Sequence, residues 1–249
     1  MDPNDDILSL SAIELSQRLH SRKITAVELL TATLKRIDDV NAKICAIIAL
    51  RRDRARLSKE AEQADNDLDA AAAVAAAKKP GWLTGIPLCI KDLENAKGLP
   101  TALGGCRLVG KQMQASQSTD NIKDSYIFDN KWVFANAQED DPYVERLRDA
   151  GAIIIGKTNT PELGLGCHSY NTIHGTTLNP FNPSLSAGEI SGGAAAALAS
   201  KMVCLSDGSD MFGSLRNPAG WNNLYSLRPT SPLMEEIVDK KTQDVRKTG

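Results

Sequence analysis

Apolar positions near the start of the chain recur at helical spacing and predict two consecutive helices within residues 9–40. Each predicted helix begins with a capping box, in which a hydroxyl and a carboxylate three residues apart bond the free N–H groups of the first turn. The two pairs are Ser11 with Glu14 and Thr25 with Glu28. The second helix has a predicted buried face made of Leu30, Leu34, Ile37 and Val40.

Short apolar runs farther along the chain predict buried strands that alternate with helices. The predicted strands cover residues 44–50, 85–90, 152–155 and 202–205. The predicted helices cover residues 51–79, 142–150 and 194–201, with a further helix start at Ser214. Pro142 and Gly151 bracket one of these helices, as a first helical residue and a stop. The alternation predicts an α/β fold.

Changes in composition divide the chain into three predicted regions. Residues 1–80 form an N-terminal helical region, residues 81–230 form the α/β core, and residues 231–249 form a polar tail. Within the core, residues 111–130 are rich in Gln, Ser, Asn and Asp and predict a surface insertion. The tail has few core-forming residues, which is typical of a solvated helix or a disordered segment.

The composition is that of an ordinary soluble globular protein, because 42% of the 249 residues are hydrophobic and 24% are charged. Acidic and basic residues are interspersed and leave a net charge of −2. No basic patch favours direct contact with nucleic acid or a membrane surface. The longest apolar stretch, residues 70–77, is too short to span a bilayer.

The cysteines predict a reducing environment, since the five of them are scattered and never form a C-x-x-C pair. The first eleven residues lack the basic region and the apolar run of a secretory signal. A cytoplasmic location is therefore predicted.

Histidines give no support for a metal site. The chain has three, His20, His168 and His174, and no pair has helical metal-ligand spacing. Cys167 and His168 are adjacent, so on a strand they would point to opposite faces. A Ser–His–Asp triad would require His168 or His174 and is not favoured, and no metal or cofactor is predicted.

Two turn-to-helix segments carry the strongest chemical signal, residues 186–200 (SAGEISGGAAAALAS) and residues 206–220 (SDGSDMFGSLRNPAG). Small residues before a helix let backbone N–H groups converge on an anionic centre. A serine in such a turn is suited to be a nucleophile whose oxyanion is bound by neighbouring amides.

Together with GIPLCIKD, GKTNTPELGLG and HGTTLNPFNP, these segments resemble the amidase-signature family in the family's own order. The resemblance covers residues 9–109 and 133–230 and is to the N-terminal part of the family. It implies a mixed sheet flanked by helices, and an enzyme that hydrolyses carbon–nitrogen bonds of small-molecule amides with a Ser–Ser–Lys relay. It further implies that a second copy or a partner subunit covers an otherwise exposed sheet edge.

The resemblance also implies roles for individual residues. Lys91 matches the family's catalytic lysine and Ser214 its acyl-forming serine, while Ser191 matches the second serine of the family's pair. The amides of the predicted oxyanion loop correspond to Ser214 and to Met211, Phe212 and Gly213.

Three substitutions depart from the family's pattern. Ile190 stands where the bridging serine belongs, Glu189 replaces a glycine, and Phe212 occupies a glycine position of the oxyanion loop. An isoleucine cannot relay a proton, and the non-proline cis bond that holds the family's serine costs about 3 kcal/mol, so it is not expected here. Phenylalanine at position 212 is expected to be strained or to crowd the acyl pocket.

Three interpretations remain open. The chain is an amidase that uses Ser214 and Lys91 with weakened or lost activity, since loss of general-base help costs about 10² to 10⁴ in rate. Alternatively it is an inactive amidase-like protein that serves as a binding or assembly subunit. A third interpretation is a subunit similar to the amidase component of tRNA-dependent amidotransferases, which works only with partner chains.

Overall fold

The computed structural model describes residues 7–73, 80–112, 125–128 and 132–230. The predicted tail and the middle of the predicted insertion lie outside the described residues. The helices are α1 (Ala12–His20), α2 (Ala26–Ile44), α3 (Arg54–Ala73), α4 (Pro142–Asp149), α5 (Gly192–Ala199) and α6 (Arg216–Trp221). The strands are β1 (Ile47–Leu50), β2 (Pro87–Lys91), β3 (Lys111–Gln112), β4 (Ser125–Phe128), β5 (Trp132–Ala135), β6 (Ile153–Thr158), β7 (Tyr170–Asn171) and β8 (Gly175–Thr176).

The main sheet is mixed and has the strand order β1-β6-β2. β1 pairs antiparallel with β6, and β2 pairs parallel with β6, with Lys91 opposite Thr158. Every residue of β2 and β6 is buried, which is typical of a strand covered on both faces. The predicted α/β fold with a mixed sheet flanked by helices is confirmed.

The first two helices begin as predicted. Both capping boxes are formed, with Ser11 bonding Glu14 and Thr25 bonding Glu28 through side chain and backbone. Leu15, Leu29 and the other buried apolar side chains of these helices join those of β1, β2 and β6 in one hydrophobic core. The N-terminal helices and the strands that carry the site are therefore packed against a shared interior.

The predicted strand at residues 202–205 is wrong. Met202 and Val203 are buried, but they form no strand, and only Ser206 makes an isolated parallel bridge to Cys89. A short apolar run fits a buried connection as well as a strand, because periodicity alone does not distinguish them. The bridge still places the following turn beside the end of β2.

The segment predicted as a surface insertion contains regular structure where it is described. β3, β5 and β4 form a separate antiparallel sheet in that order.

None of the helices in the described ranges is long and apolar enough to cross a membrane.

Candidate active site

Lys91 is the last residue of β2, and its side chain is buried, with 1% of its surface exposed. Its Nζ lies 2.8 Å from the Ser191 Oγ and 2.8 Å from the Ser209 Oγ. A weaker contact of 3.4 Å joins Nζ to the Ser209 carbonyl oxygen. The Lys91 amine is therefore buried in the protein and lies close to three oxygen atoms.

Burial lowers the pKa of Lys91 to about 8, because removal from water disfavours the ammonium form, while nearby Asp207 opposes the shift. Asp207 also holds the backbone of this residue, since its Oδ1 accepts the Lys91 N–H at 2.7 Å. The Tyr143 hydroxyl donates to Asp207 Oδ2 at 2.6 Å. An amine with a lowered pKa is suited to take a proton near neutral pH.

Ser191 immediately precedes α5 and is 2% exposed. Its backbone N–H donates to the Ser214 carbonyl at 3.2 Å, and its hydroxyl donates to the Ser209 carbonyl at 3.3 Å. The turn at Gly208 covers it so closely that a Cβ there would lie 2.9 Å from Ser191 Oγ. Ser191 is therefore a buried residue that links its own turn to the turn containing Ser209 and Ser214.

Ser214 lies two residues before the start of α6 and is 2% exposed. Its carbonyl contacts Ser191, which places the two turns side by side. Within the described part of the chain, its hydroxyl makes no hydrogen bond to Lys91, Ser191 or Ser209. The structure thus brings the Lys91 and Ser191 side chains into contact and places the Ser214 backbone next to Ser191.

The substituted turn at residues 188–191 adopts the backbone that glycine favours. Glu189 has φ +31°, in the left-handed region, and its side chain accepts a hydrogen bond from Asn217 at 3.1 Å. Ser169 fixes the turn by donating to the Glu189 carbonyl at 2.8 Å. Every peptide bond in the described residues is trans, including those beside Ile190.

Asp210 organises the predicted oxyanion loop. Its carboxylate accepts the Gly213 N–H at 2.7 Å and the Leu215 N–H at 3.2 Å. The Arg216 guanidinium donates to it at 2.8 Å and holds the pKa of this carboxyl well below its usual range. The Gly213 amide is consequently directed at Asp210.

Phe212 differs from its prediction. The positive φ of the loop falls on Gly213, at +123°, and Phe212 lies outside that region of φ. The phenylalanine is 88% exposed, so its ring is not packed among the described residues, and crowding of an acyl pocket stays a prediction. Its backbone is compatible with a side chain, and the ring turns outward to solvent.

Ser209 was missed by sequence reasoning, although it contacts Lys91 directly. It lies in the recognised turn DGSD, but no spacing rule indicates which residue of such a turn faces a lysine on another strand. The signal was the bridge between Ser206 and Cys89, which only the fold reveals.

Lys157 is a second buried lysine, on the neighbouring strand β6. Its Nζ donates to the carbonyls of Glu94 and Pro100, and lies 3.8 Å from Asp92 Oδ1. Burial lowers the pKa of Lys157, and Asp92 opposes that effect. Nζ also donates to the Thr101 hydroxyl at 3.3 Å. The close approach to a buried carboxylate is expected of a structural ion pair.

The histidines remain outside this cluster. His168 Nδ1 lies 2.8 Å from the Ser186 hydroxyl. His174 is partly buried, and burial lowers its pKa to about 4. Across the described ranges, no three His, Cys, Asp or Glu side chains are grouped so as to hold a metal ion.

A mixed sheet whose strand end presents a buried lysine to serine hydroxyls defines an α/β protein with a Ser/Lys site. Comparison with known proteins agrees with this class. A family model described as Amidase matches residues 130–234. The chain is 33% identical over 228 residues to a glutamyl-tRNA(Gln) amidotransferase subunit of Corynebacterium diphtheriae, covering 92% of this chain and 40% of that protein.

Two further comparisons extend this likeness. The chain is 33% identical over 229 residues to an acylamidase of Rhodococcus erythropolis, covering 92% of this chain and 41% of the relative. The solved structure of a bacterial aryl acylamidase of the amidase-signature family matches with a TM-score of 0.72 and 26% identity, covering 90% of this chain and 40% of the other. The chain is similar to amidase-signature proteins over most of its own length, and it spans about 40% of the length of these relatives.

Proposed function

We propose that this chain carries the Ser/Lys centre of a hydrolase acting on carbon–nitrogen bonds of small-molecule amides. The observation that carries the proposal is the buried Lys91 amine, 2.8 Å from two serine hydroxyls. Burial lowers its pKa to about 8, so a fraction of the amine is neutral at pH 7 and is able to act as a base.

Ser214 is the proposed acyl acceptor in the family's arrangement, with the amides of Met211, Phe212 and Gly213 beside it. A proton from Ser214 has to reach Lys91 through an intervening hydroxyl. Ile190 supplies none, so transfer would pass through Ser191 or water. Loss of direct general-base help lowers a rate by about 10² to 10⁴, and the proposed amidase activity is correspondingly weak.

A second candidate function is that of an inactive protein used for binding or assembly. It is favoured by the Ser214 hydroxyl, which makes no hydrogen bond to Lys91 or Ser191 in the described structure. It is also favoured by the Gly213 amide, which is bonded to Asp210. One relative is itself named as part of a larger enzyme, and a partner chain or a second copy is proposed to assemble with this one.

Labelling with a fluorophosphonate probe tests the proposal, because such a probe reacts with an activated serine. Wild-type protein is expected to be labelled, and unlabelled protein together with absent hydrolysis of simple amides would favour the inactive binding protein. The restoring variant Ile190→Ser with Glu189→Gly and Phe212→Gly sharpens the test. If these three changes raise amide hydrolysis by at least about 10²-fold, the missing relay limits the wild-type protein.

A further inference from the structure

The three serines of the site differ in accessibility. Ser191 and Ser214 are each 2% exposed, whereas Ser209 is exposed to solvent. Ser209 Oγ nevertheless lies 2.8 Å from the buried Lys91 Nζ. Among these three serines, Ser209 is therefore the exposed residue that also contacts the lysine.

The proton of Ser209 is also the one available to Lys91. The Ser191 hydroxyl already donates its single proton to the Ser209 carbonyl. The Ser209 hydroxyl has Lys91 as its hydrogen-bond partner within the described residues. When Lys91 is neutral, its lone pair is able to accept that proton directly, with no bridging serine.

The backbone that follows the Ser209 side chain is held in place by hydrogen bonds. Its carbonyl accepts the Ser191 hydroxyl at 3.3 Å. The next residue, Asp210, receives the Arg228 guanidinium at its carbonyl at 3.0 Å and the Arg216 guanidinium at its carboxylate. A fixed nucleophile loses less entropy in reaching its reactive geometry than a mobile one.

We infer that Ser209, activated directly by Lys91, is the reactive nucleophile of this chain. This inference rests on the proposed function and changes the residue that performs it. It makes the site a Ser–Lys dyad, an arrangement in which a lysine alone serves as the base of a serine. Direct proton transfer from Ser209 to Lys91 needs no bridging hydroxyl, so the isoleucine at position 190 does not prevent it.

The reaction balances with these two groups and water. Neutral Lys91 takes the Ser209 proton as Oγ bonds to the carbonyl carbon of the amide. The C–N bond breaks, the leaving amine takes the proton from the Lys91 ammonium, and an ester remains on Ser209. Water then attacks the ester and transfers a proton through Lys91 to Ser209 Oγ, which releases a carboxylic acid.

Mapping the covalent adduct of a fluorophosphonate probe tests this assignment on the full chain. The probe forms an O–P bond at the reactive serine and releases fluoride. Cleavage before aspartate separates Ser209 from Ser214, because Asp210 lies between them, and Ser191 falls in another peptide. Mass spectrometry of the fragments then identifies the labelled residue.

The expected adduct is on Ser209, and Ser209→Ala is expected to lower the labelling rate by at least about 10²-fold. Because Ser209 is exposed, that variant should keep the melting temperature of the wild type. Ser184→Ala, which changes another exposed serine outside the site, is the matched control and should label at the wild-type rate.

Each outcome decides a different point. An adduct on Ser214 or Ser191 overturns the assignment of Ser209 and leaves the proposed hydrolase function standing. Absence of any adduct, with no hydrolysis of simple amides, overturns both. An adduct on Ser209 whose rate is unchanged in Lys91→Met overturns the dyad.

Discussion

Two buried lysines lie on neighbouring parallel strands, and their surroundings are of opposite kinds. Lys91 of β2 meets two serine hydroxyls beside an exposed turn. Lys157 of β6 meets backbone carbonyls, the Thr101 hydroxyl at 3.3 Å and the buried carboxylate of Asp92. Burial lowers the pKa of both amines, so burial by itself does not separate them.

Partner chemistry makes the difference. A hydroxyl can give up a proton to a neutral amine, whereas a carbonyl can only accept a hydrogen bond. The Thr101 hydroxyl beside Lys157 donates its single proton to the Glu94 carbonyl at 3.2 Å. Lys157 therefore accepts no proton from these partners, and its cation offsets the charge of Asp92. A buried lysine becomes a candidate base only where its neighbours include an acidic hydrogen and a route for substrate.

The largest effect is expected from Lys91→Met. Removing the base should lower the rate of fluorophosphonate labelling by about 10² to 10⁴, because no other described amine contacts the serine hydroxyls. The labelling rate at pH 8 measures this. Urea unfolding of the same variant should show little loss of stability, since methionine suits a buried site; a large loss would contradict the separation of the two lysines.

Lys157→Met should produce the reverse pattern. It leaves Asp92 buried without its cation, and breaking a buried pair in this way costs about 3–5 kcal/mol. Urea unfolding followed by circular dichroism measures the loss. Labelling of the fraction that stays folded should be close to wild type, and a selective loss of labelling would mean that Lys157 takes part in the chemistry.

The labelling rate should depend on pH through Lys91. Only the neutral amine is a base, so the rate should rise about tenfold per pH unit below its pKa and level off above about 8. The shift also affects stability. The folded-state pKa is below the usual 10.5, so the unfolded chain binds more protons and the folded state gains stability as pH rises from 8 to 10.5.

The smallest effect is expected from Asp207→Asn. Asp207 raises the pKa of Lys91, as do Glu94 and Asp210, so removing one charge should move the pH–rate profile to lower pH by a fraction of a unit. Tyr143→Phe is the matched control, because it removes the hydrogen bond to Asp207 but keeps the charge. If both variants move the pH–rate profile by the same amount, the change arises from altered packing and not from the lost charge of Asp207.

Much of the fold could be predicted from local signals. The capping boxes at Ser11 and Thr25 fix the starts of two helices. Their interacting groups are only three residues apart, so both partners can be recognised in a short stretch of sequence. The strands β2 and β6 are continuous apolar runs. The residues at 202–205 are apolar for another reason, because Met202 and Val203 belong to the hydrophobic core and the next two residues pack against it, without forming a strand.

The site could be predicted only to the level of its turns. Family resemblance pointed to Lys91, Ser191 and Ser214. The structure joins Lys91 Nζ to the Ser191 hydroxyl and the Ser191 N–H to the Ser214 carbonyl. The contact between Lys91 and Ser209 joins residues 118 positions apart, and no local pattern encodes it. The outward direction of Phe212 likewise depends on Gly213 taking the positive φ of the loop.

The central position of β6 has a consequence for synthesis of the chain on the ribosome. β1 and β2 both pair with β6 and are not hydrogen-bonded to each other within the main sheet. The strand β6, residues 153–158, leaves the exit tunnel after both of its partners. Until then, the edges of β1 (residues 47–50) and β2 (residues 87–91) have no strand with which to pair in the main sheet. Such delayed long-range pairing slows folding and prolongs the interval in which nascent chains associate wrongly.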